Sequence, residues 1–143
     1  MESGYLYLET HPDHPGLLHL VLAGIAPIPP KGAAGGIIRY VARFNDGATA
    51  HMRVQSALRR RLVDIDAGIY RVELAEAMAA IEAEELNHRR VWLDPDLDEV
   101  TLARMAEQAA RRRHRRRTLN RVWQAVGAAG LVWLVLSFLL SIA

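Results

Sequence analysis

The C-terminal end constrains the chain most strongly, because residues 122–143 carry no charged side chain and follow a run of arginines at residues 111–117. A helix rises about 1.5 Å per residue, so these residues would reach about 33 Å, and the hydrocarbon core of a bilayer is about 30 Å thick. Trp123 lies where an interfacial aromatic anchor is expected. The sequence therefore predicts a single transmembrane helix over residues 122–143.

The arginines before this span predict its orientation and its first partner. Arginines flanking a span stay on the cytoplasmic side, and they attract anionic headgroups. We therefore expect a bacterial inner-membrane protein with a cytoplasmic N-terminal domain, and membrane lipids as partners. Early acidic residues and prolines interrupt any signal-peptide core. The predicted membrane-surface residues are Arg111, Arg112, Arg113, Arg115, Arg116, Arg117 and Arg121.

Charge is divided unevenly along the chain. Residues 104–121 hold eight arginines and one glutamate, whereas residues 1–103 hold ten Lys and Arg side chains against fifteen Asp and Glu. An acidic domain on a basic stalk is a poor general nucleic-acid binder. The composition therefore argues against nucleic acid as a partner.

The cytosolic part is predicted to be one small α/β (α+β) domain. Apolar, β-branched and aromatic runs separated by turns predict a small antiparallel sheet of three to four strands flanked by helices. Strands are expected over residues 4–9, 17–22 and 37–44, with a possible short one over 64–72, and helices over 48–62 and 73–90. A Pro- and Gly-rich loop is expected over 23–36.

A last helix is predicted from Asp98 into the membrane, because no Gly or Pro intervenes before Gly127. The predicted organisation is a cytosolic domain over residues 1–96, a basic helical stalk over 97–121, and the span over 122–143.

The N-terminal segments resemble the GIY-YIG nuclease superfamily, in particular the branch known as the phage T5 open-reading-frame-172 type. The resemblance covers roughly residues 4–90 and is carried by Gly4-Tyr-Leu-Tyr-Leu, by the turn from His11-Pro to Pro15-Gly16, and by Leu17-Leu-His-Leu-Val21. It implies a scaffold that, in nucleases, cuts phosphodiesters with two strand tyrosines, a helical arginine and a metal-binding glutamate.

The catalytic set implied by the resemblance is mostly missing. Tyr7 matches the first-strand tyrosine, the second motif falls on His19, and the metal-binding glutamate falls near His51. The Pro/Gly loop occupies the place of the arginine-bearing helix. We therefore expect a degenerate, non-catalytic domain, with Tyr7, His19 and His51 as relic candidates.

Two further groups of polar residues have the composition of binding sites. A Pro-bounded turn holds His11, Asp13 and His14, but a structural zinc site needs four ligands, so neither a metal site nor a cofactor is predicted. Arg59-Arg60-Arg61 and Arg89-Arg90 suit a phosphate or acidic partner, but solvated or ion-paired helix faces have the same composition.

Small residues within the span predict packing against another helix, since they allow close approach. These residues are Gly127, Ala128, Gly130 and Ser137. The sequence thus predicts a non-enzymatic accessory or interaction subunit of a larger membrane complex. The alternative is a membrane-tethered GIY-YIG-type nuclease or nucleic-acid-binding protein.

Overall fold

The computed structural model describes residues 2–33 and 35–142. Ten elements follow in order: β1 (Gly4–Thr10), β2 (Leu17–Ala23), β3 (Ile37–Phe44), α1 (Gly47–Leu58), a 3₁₀ turn (Arg59–Arg61), β4 (Leu62–Asp64), β5 (Ile69–Arg71), α2 (Leu74–Glu82), β6 (His88–Leu93) and α3 (Glu99–Ile142). The mixed α+β class and the long apolar C-terminal helix are as predicted.

The strands form one antiparallel sheet in the order β4-β5-β2-β1-β3-β6. The prediction of three to four strands was wrong, because the described residues contain six. Residues 88–93, predicted partly as helix end and partly as a break, pair with β3 instead. This pairing satisfies the backbone groups along what would otherwise be an open edge of β3.

The helices cover one face of the sheet. Leu6, Leu8 and Tyr40 on the strands are buried against Val54 of α1 and Met78 of α2. Met105 and Ala109 of α3 belong to the same core. Residues of the predicted stalk are therefore part of the packed domain.

The other face of the sheet is not covered by helices. Side chains alternate along a strand, so the neighbours of Leu6 and Leu8 point to this second face. A small cluster of Tyr7, Ile38 and Val41 is buried there. The segment predicted as a Pro/Gly loop begins in β2 at Ala23, and its other described residues lie outside the named helices and strands.

Candidate functional site

Helix α3 ends in a long exposed apolar segment. The helix runs without interruption from Glu99 to Ile142, and its most apolar 18-residue window has a mean hydropathy of 2.3 with none of its residues buried. From Val122 to Ile142 the helix is about 32 Å long. Its length and composition therefore fit a membrane-crossing helix. Ala143, the last residue of the predicted span, lies outside the described residues.

The first half of α3 is held by α2. Met105 and Ala109 are buried in the core, and Leu102 packs against it. Glycine and proline are absent from residues 99–126, so the backbone has no helix-breaking residue between the packed half and the apolar half. One continuous helix thus joins the domain to the apolar segment.

Some of the predicted membrane-surface arginines contact the domain. Arg112 lies 3.5 Å from the Glu76 carboxylate, and Arg113 donates a 2.7 Å hydrogen bond to the carbonyl of Glu82. Arg116 donates to Glu84 Oε1 at 2.6 Å. Cations placed at the last carbonyls of α2 also oppose the negative end of the helix dipole. Arg112 therefore contacts the first turn of α2, whereas Arg113 and Arg116 fix α3 to its C-terminal end.

Glu84 is the most buried charged group at this joint. Its side chain has 0% exposure and lies between Arg116 of α3 and Arg53 of α1, the latter at 3.9 Å. The hydrogen bond to Glu84 raises the pKa of Arg116. A buried carboxylate needs such partners, since an unpaired buried charge is costly.

The other predicted membrane-surface arginines are directed away from the domain's carboxylates. Arg111 pairs with Glu107 on its own helix at 2.6 Å. In the part of the chain that the structure describes, Arg115, Arg117 and Arg121 have no carboxylate at ion-pair distance. These three cations are free to meet an external anion.

A basic cleft forms where the 3₁₀ turn after α1 faces α3. Its walls carry six arginines, one histidine and one glutamate. The arginines are Arg59, Arg60, Arg61, Arg111, Arg112 and Arg115. The sequence indicated the two arginine runs separately, but only the fold shows that they face each other.

The small residues predicted for helix packing lie on the exposed apolar segment. Outside their own helical turns, Gly127 and Gly130 have no described residue within 4 Å of where a side chain would begin. The hydroxyl of Ser137 donates to the carbonyl of Trp133 within the same helix at 2.8 Å. Together with Ala128, also exposed, these residues are open to a neighbouring helix.

The relic candidates are not all brought together. Across the β1–β2 pair, Tyr7 lies opposite Val21 and Glu9 lies opposite His19. Tyr7 and His19 therefore share the face of the sheet that the helices do not cover, which is called the open face below. His51 lies on α1, which packs against the other face. Burial lowers the pKa of His51, which favours its neutral form.

Glu9 lies on the open face with Tyr7 and His19, and it was not identified from the sequence. These three residues are called the open-face group below. Glu9 is 3% exposed, and its Oε1 accepts a 2.7 Å hydrogen bond from the backbone N–H of Gly36. Its Oε2 is buried without a hydrogen-bond partner among the described residues. A side chain at Gly32 would overlap the Glu9 carboxylate, so the loop closes directly over it. The available signal was a carboxylate in an otherwise apolar strand, two residues after Tyr7 and therefore on the same face.

The open face can support hydrogen bonding and proton transfer. Burial, and then the charge of Glu9, raise the pKa of the Tyr7 hydroxyl. A cavity of about 290 Å³ beside Glu9 is also lined by His11, His14 and His19. No three His, Asp or Glu side chains among residues 2–33 and 35–142 are grouped so as to hold a metal ion.

Comparisons of the chain with protein-family models, with curated proteins and with solved structures give no match. The features that bear on function are therefore α3, the basic cleft and the open face of the sheet.

Proposed function

We propose that this protein is a non-catalytic, single-pass membrane protein that presents its α+β domain at the cytoplasmic face of a bacterial inner membrane. The observation that carries the proposal is the continuity of α3. The same helix is buried in the domain at Met105 and Ala109 and is exposed and uncharged from Val122 onward. A soluble domain gains nothing from such an apolar extension, which would promote aggregation.

The proposed orientation rests on the arginines at the domain end of the span. Arg115, Arg117 and Arg121 lie in the last turns before the apolar segment. Moving them through the membrane is unfavourable, and their attraction to anionic headgroups keeps them on the cytoplasmic side. The domain is consequently cytoplasmic.

The proposed role is that of an accessory subunit of a larger membrane complex. Gly127, Ala128 and Gly130 form an exposed small-residue patch, and such patches allow helices to approach closely in lipid. The acidic residues of the domain that are not paired to α3 remain available to a cytoplasmic partner. No reaction is required for this role.

The non-catalytic part of the proposal depends on the resemblance to the GIY-YIG scaffold. Tyr7 and His19 share a face of the sheet, but the Pro/Gly loop stands where the nuclease arginine helix would be. His51, at the expected place of the metal-binding glutamate, lies on a helix of the opposite face. This arrangement supports a retained scaffold without the nuclease reaction.

The test is affinity purification of the full-length chain from native membranes in mild detergent, with mass and composition determined. We expect a defined membrane complex in fixed stoichiometry. Gly127→Leu combined with Gly130→Leu should reduce co-purification, whereas Val126→Leu combined with Val132→Leu should not. Recovery of wild type only as a monomer or homodimer would contradict the accessory role.

A membrane-tethered nuclease is the second candidate, and the grouping of Tyr7, Glu9 and His19 on one sheet face favours it. It predicts DNA cleavage by the full-length chain with divalent metal, and loss of cleavage in Tyr7→Phe. Tyr5→Phe is the matched control, because Tyr5 lies on the same strand and face. Cleavage that depends on Tyr7 would overturn the non-catalytic assignment.

A further inference from the structure

The basic cleft between the 3₁₀ turn and α3 has the chemistry of a phosphate-binding site. We propose that it binds the headgroup of an anionic phospholipid that carries more than one phosphate, such as cardiolipin. This inference rests on the proposed membrane anchorage and names a specific lipid partner for it.

The excess of positive charge in the cleft favours the binding of an external anion. Glu76 is the one carboxylate among the lining residues, and it lies 3.6 Å from Arg61 and 3.5 Å from Arg112. Among the described residues, Arg59, Arg60 and Arg115 have no carboxylate at ion-pair distance. Like charges gathered in this way repel each other, and a bound polyanion relieves that repulsion.

The residue type and the size of the cleft favour a group with several phosphates. Guanidinium groups bind phosphate through two parallel hydrogen bonds, so arginine is preferred where phosphate is recognised. The cleft is an open groove of about 1220 Å³, which is above the roughly 300–1,000 Å³ typical of small-molecule sites. Arginines on both walls can therefore contact separate phosphates of one headgroup.

The position of the cleft along α3 favours a lipid over a soluble phosphate. Arg115 precedes Val122 by seven residues, which is about 10 Å along the helix. The headgroup layer extends about 5–8 Å beyond the hydrocarbon on each side. The long arginine side chain covers the remaining distance, as arginines do at membrane interfaces. The Arg115 end of the cleft thus lies close to the headgroup layer.

The test is native mass spectrometry of the full-length chain in non-ionic detergent, titrated with cardiolipin, phosphatidylglycerol or phosphatidylcholine. We expect retained cardiolipin adducts, with weaker binding of phosphatidylglycerol at equal total phosphate. Arg59→Gln, Arg60→Gln and Arg61→Gln together should weaken cardiolipin binding by about ten- to hundredfold. The charge-matched control is Arg43→Gln, Arg71→Gln and Arg89→Gln, whose exposed arginines lie outside the cleft and should matter less than about twofold.

A single substitution tests the site with less risk to folding. Arg115 and Arg117 are both exposed and unpaired among the described residues, but only Arg115 lines the cleft. Arg115→Gln should weaken cardiolipin binding by about fivefold, and Arg117→Gln should leave it nearly unchanged. Equal losses of cardiolipin binding in Arg115→Gln and Arg117→Gln would show that binding depends only on diffuse surface charge. Equal losses in the triple variant and its charge-matched control would show the same, and either result would overturn the proposal.

Two further outcomes would also overturn the proposed cardiolipin site. Inorganic pyrophosphate binding in the absence of lipid, with no preference for cardiolipin, would identify a soluble phosphate as the ligand. Tighter binding of a short single-stranded RNA than of cardiolipin would identify a nucleic acid. Alkaline extraction of proteoliposomes tests anchorage separately: a retained chain without cardiolipin selectivity contradicts the lipid site alone, and an extracted chain contradicts the proposed function.

Discussion

At the scale of single residues, two buried glutamates join segments that are distant in the sequence. Glu9 of β1 is enclosed by the Pro/Gly loop, and Glu84 after α2 is enclosed by Arg53 and Arg116. In both, one carboxylate oxygen is hydrogen-bonded and the other has no hydrogen-bond partner among the described residues. Removing the partner of such a group leaves an incompletely compensated charge.

Arg116→Met should lower the free energy of unfolding by about 2 kcal/mol, because it removes the hydrogen-bonded partner of a buried carboxylate. Arg117→Met is the control, since Arg117 is exposed and has no carboxylate at ion-pair distance among the described residues; it should change stability by less than about 0.5 kcal/mol. Urea unfolding of the full chain in micelles measures both. Equal effects would show that the Glu84 pair contributes little.

Gly32→Ala should destabilise the domain by about 1–3 kcal/mol, because the new methyl group would overlap the Glu9 carboxylate and displace the loop. Gly24→Ala in the same loop has open space around it and should be nearly neutral. Thermal unfolding compares the two variants. A neutral Gly32→Ala would mean that the loop moves without cost.

At the scale of elements, Glu82 at the end of α2 contacts residues of β3, β6 and α3. Its Oε1 accepts hydrogen bonds from Tyr40 of β3 and Arg90 of β6, each 2.7 Å long. Arg113 of α3 approaches the other carboxylate oxygen at 4.0 Å. Burial of the Tyr40 hydroxyl, followed by its hydrogen bond to Glu82, raises the pKa of Tyr40.

This network predicts a dependence of stability on pH. Burial by itself would raise the pKa of Glu82, but hydrogen bonds from Arg90 and Tyr40 outweigh it and lower the pKa. An unfolded glutamate has a pKa of about 4.3. The stabilisation is therefore present above about pH 4.3 and is lost as the pH falls through the lower folded pKa.

Glu82→Gln should reduce stability at neutral pH and flatten its decline on acidification below about pH 4.3. Glu85→Gln is a nearby control, because Glu85 is exposed and makes no ion pair among the described residues. Urea unfolding at a series of pH values gives the slopes. An unchanged slope in Glu82→Gln would exclude this carboxylate as a source of the pH dependence.

The elements that depend on local patterns could be predicted from the sequence. The apolar runs of β1, β2 and β3 and the uncharged end of α3 each specify their structure without distant partners. The end of α2 could not be predicted, because the sequence stays helix-compatible after Glu82 and the chain leaves the helix to pair β6 with β3. Tertiary pairing here overrides local propensity.

The sequence predicted a candidate site only where all of its residues lie in one segment of the chain. The arginines of α3 lie within one short segment, as do the small residues of the predicted span, so both sets could be recognised. The cleft needs Arg59–Arg61 to face α3, and the open-face group needs the register that places His19 opposite Glu9. Both depend on contacts between remote segments, which one sequence does not reveal.

At the scale of the whole molecule, α3 belongs to two environments at once. Its first turns complete the protein core through Met105 and Ala109, and its last turns are apolar on every side. The domain is therefore structurally incomplete without part of the helix that is proposed to anchor it.

A variant ending at residue 118 should be soluble and unfold cooperatively, because it keeps both core residues and Arg116. A variant ending at residue 96 should lose cooperative unfolding. Losing one large buried apolar side chain costs about 2–5 kcal/mol, and a small domain has only about 5–15 kcal/mol in total. Circular dichroism during urea unfolding distinguishes the two, and a cooperative transition in the shorter variant would contradict the assignment of α3 to the core.

The continuity of α3 also links the thickness of the bilayer to the orientation of the domain. A span tilts when the hydrocarbon around it becomes thinner than its apolar length. Because residues 99–126 contain no glycine or proline to absorb a bend, that tilt is passed on as a rotation of the sheet. In the proposed membrane-anchored arrangement, the domain therefore rotates with the span, and bilayer thickness alters which face of the domain is directed away from the membrane.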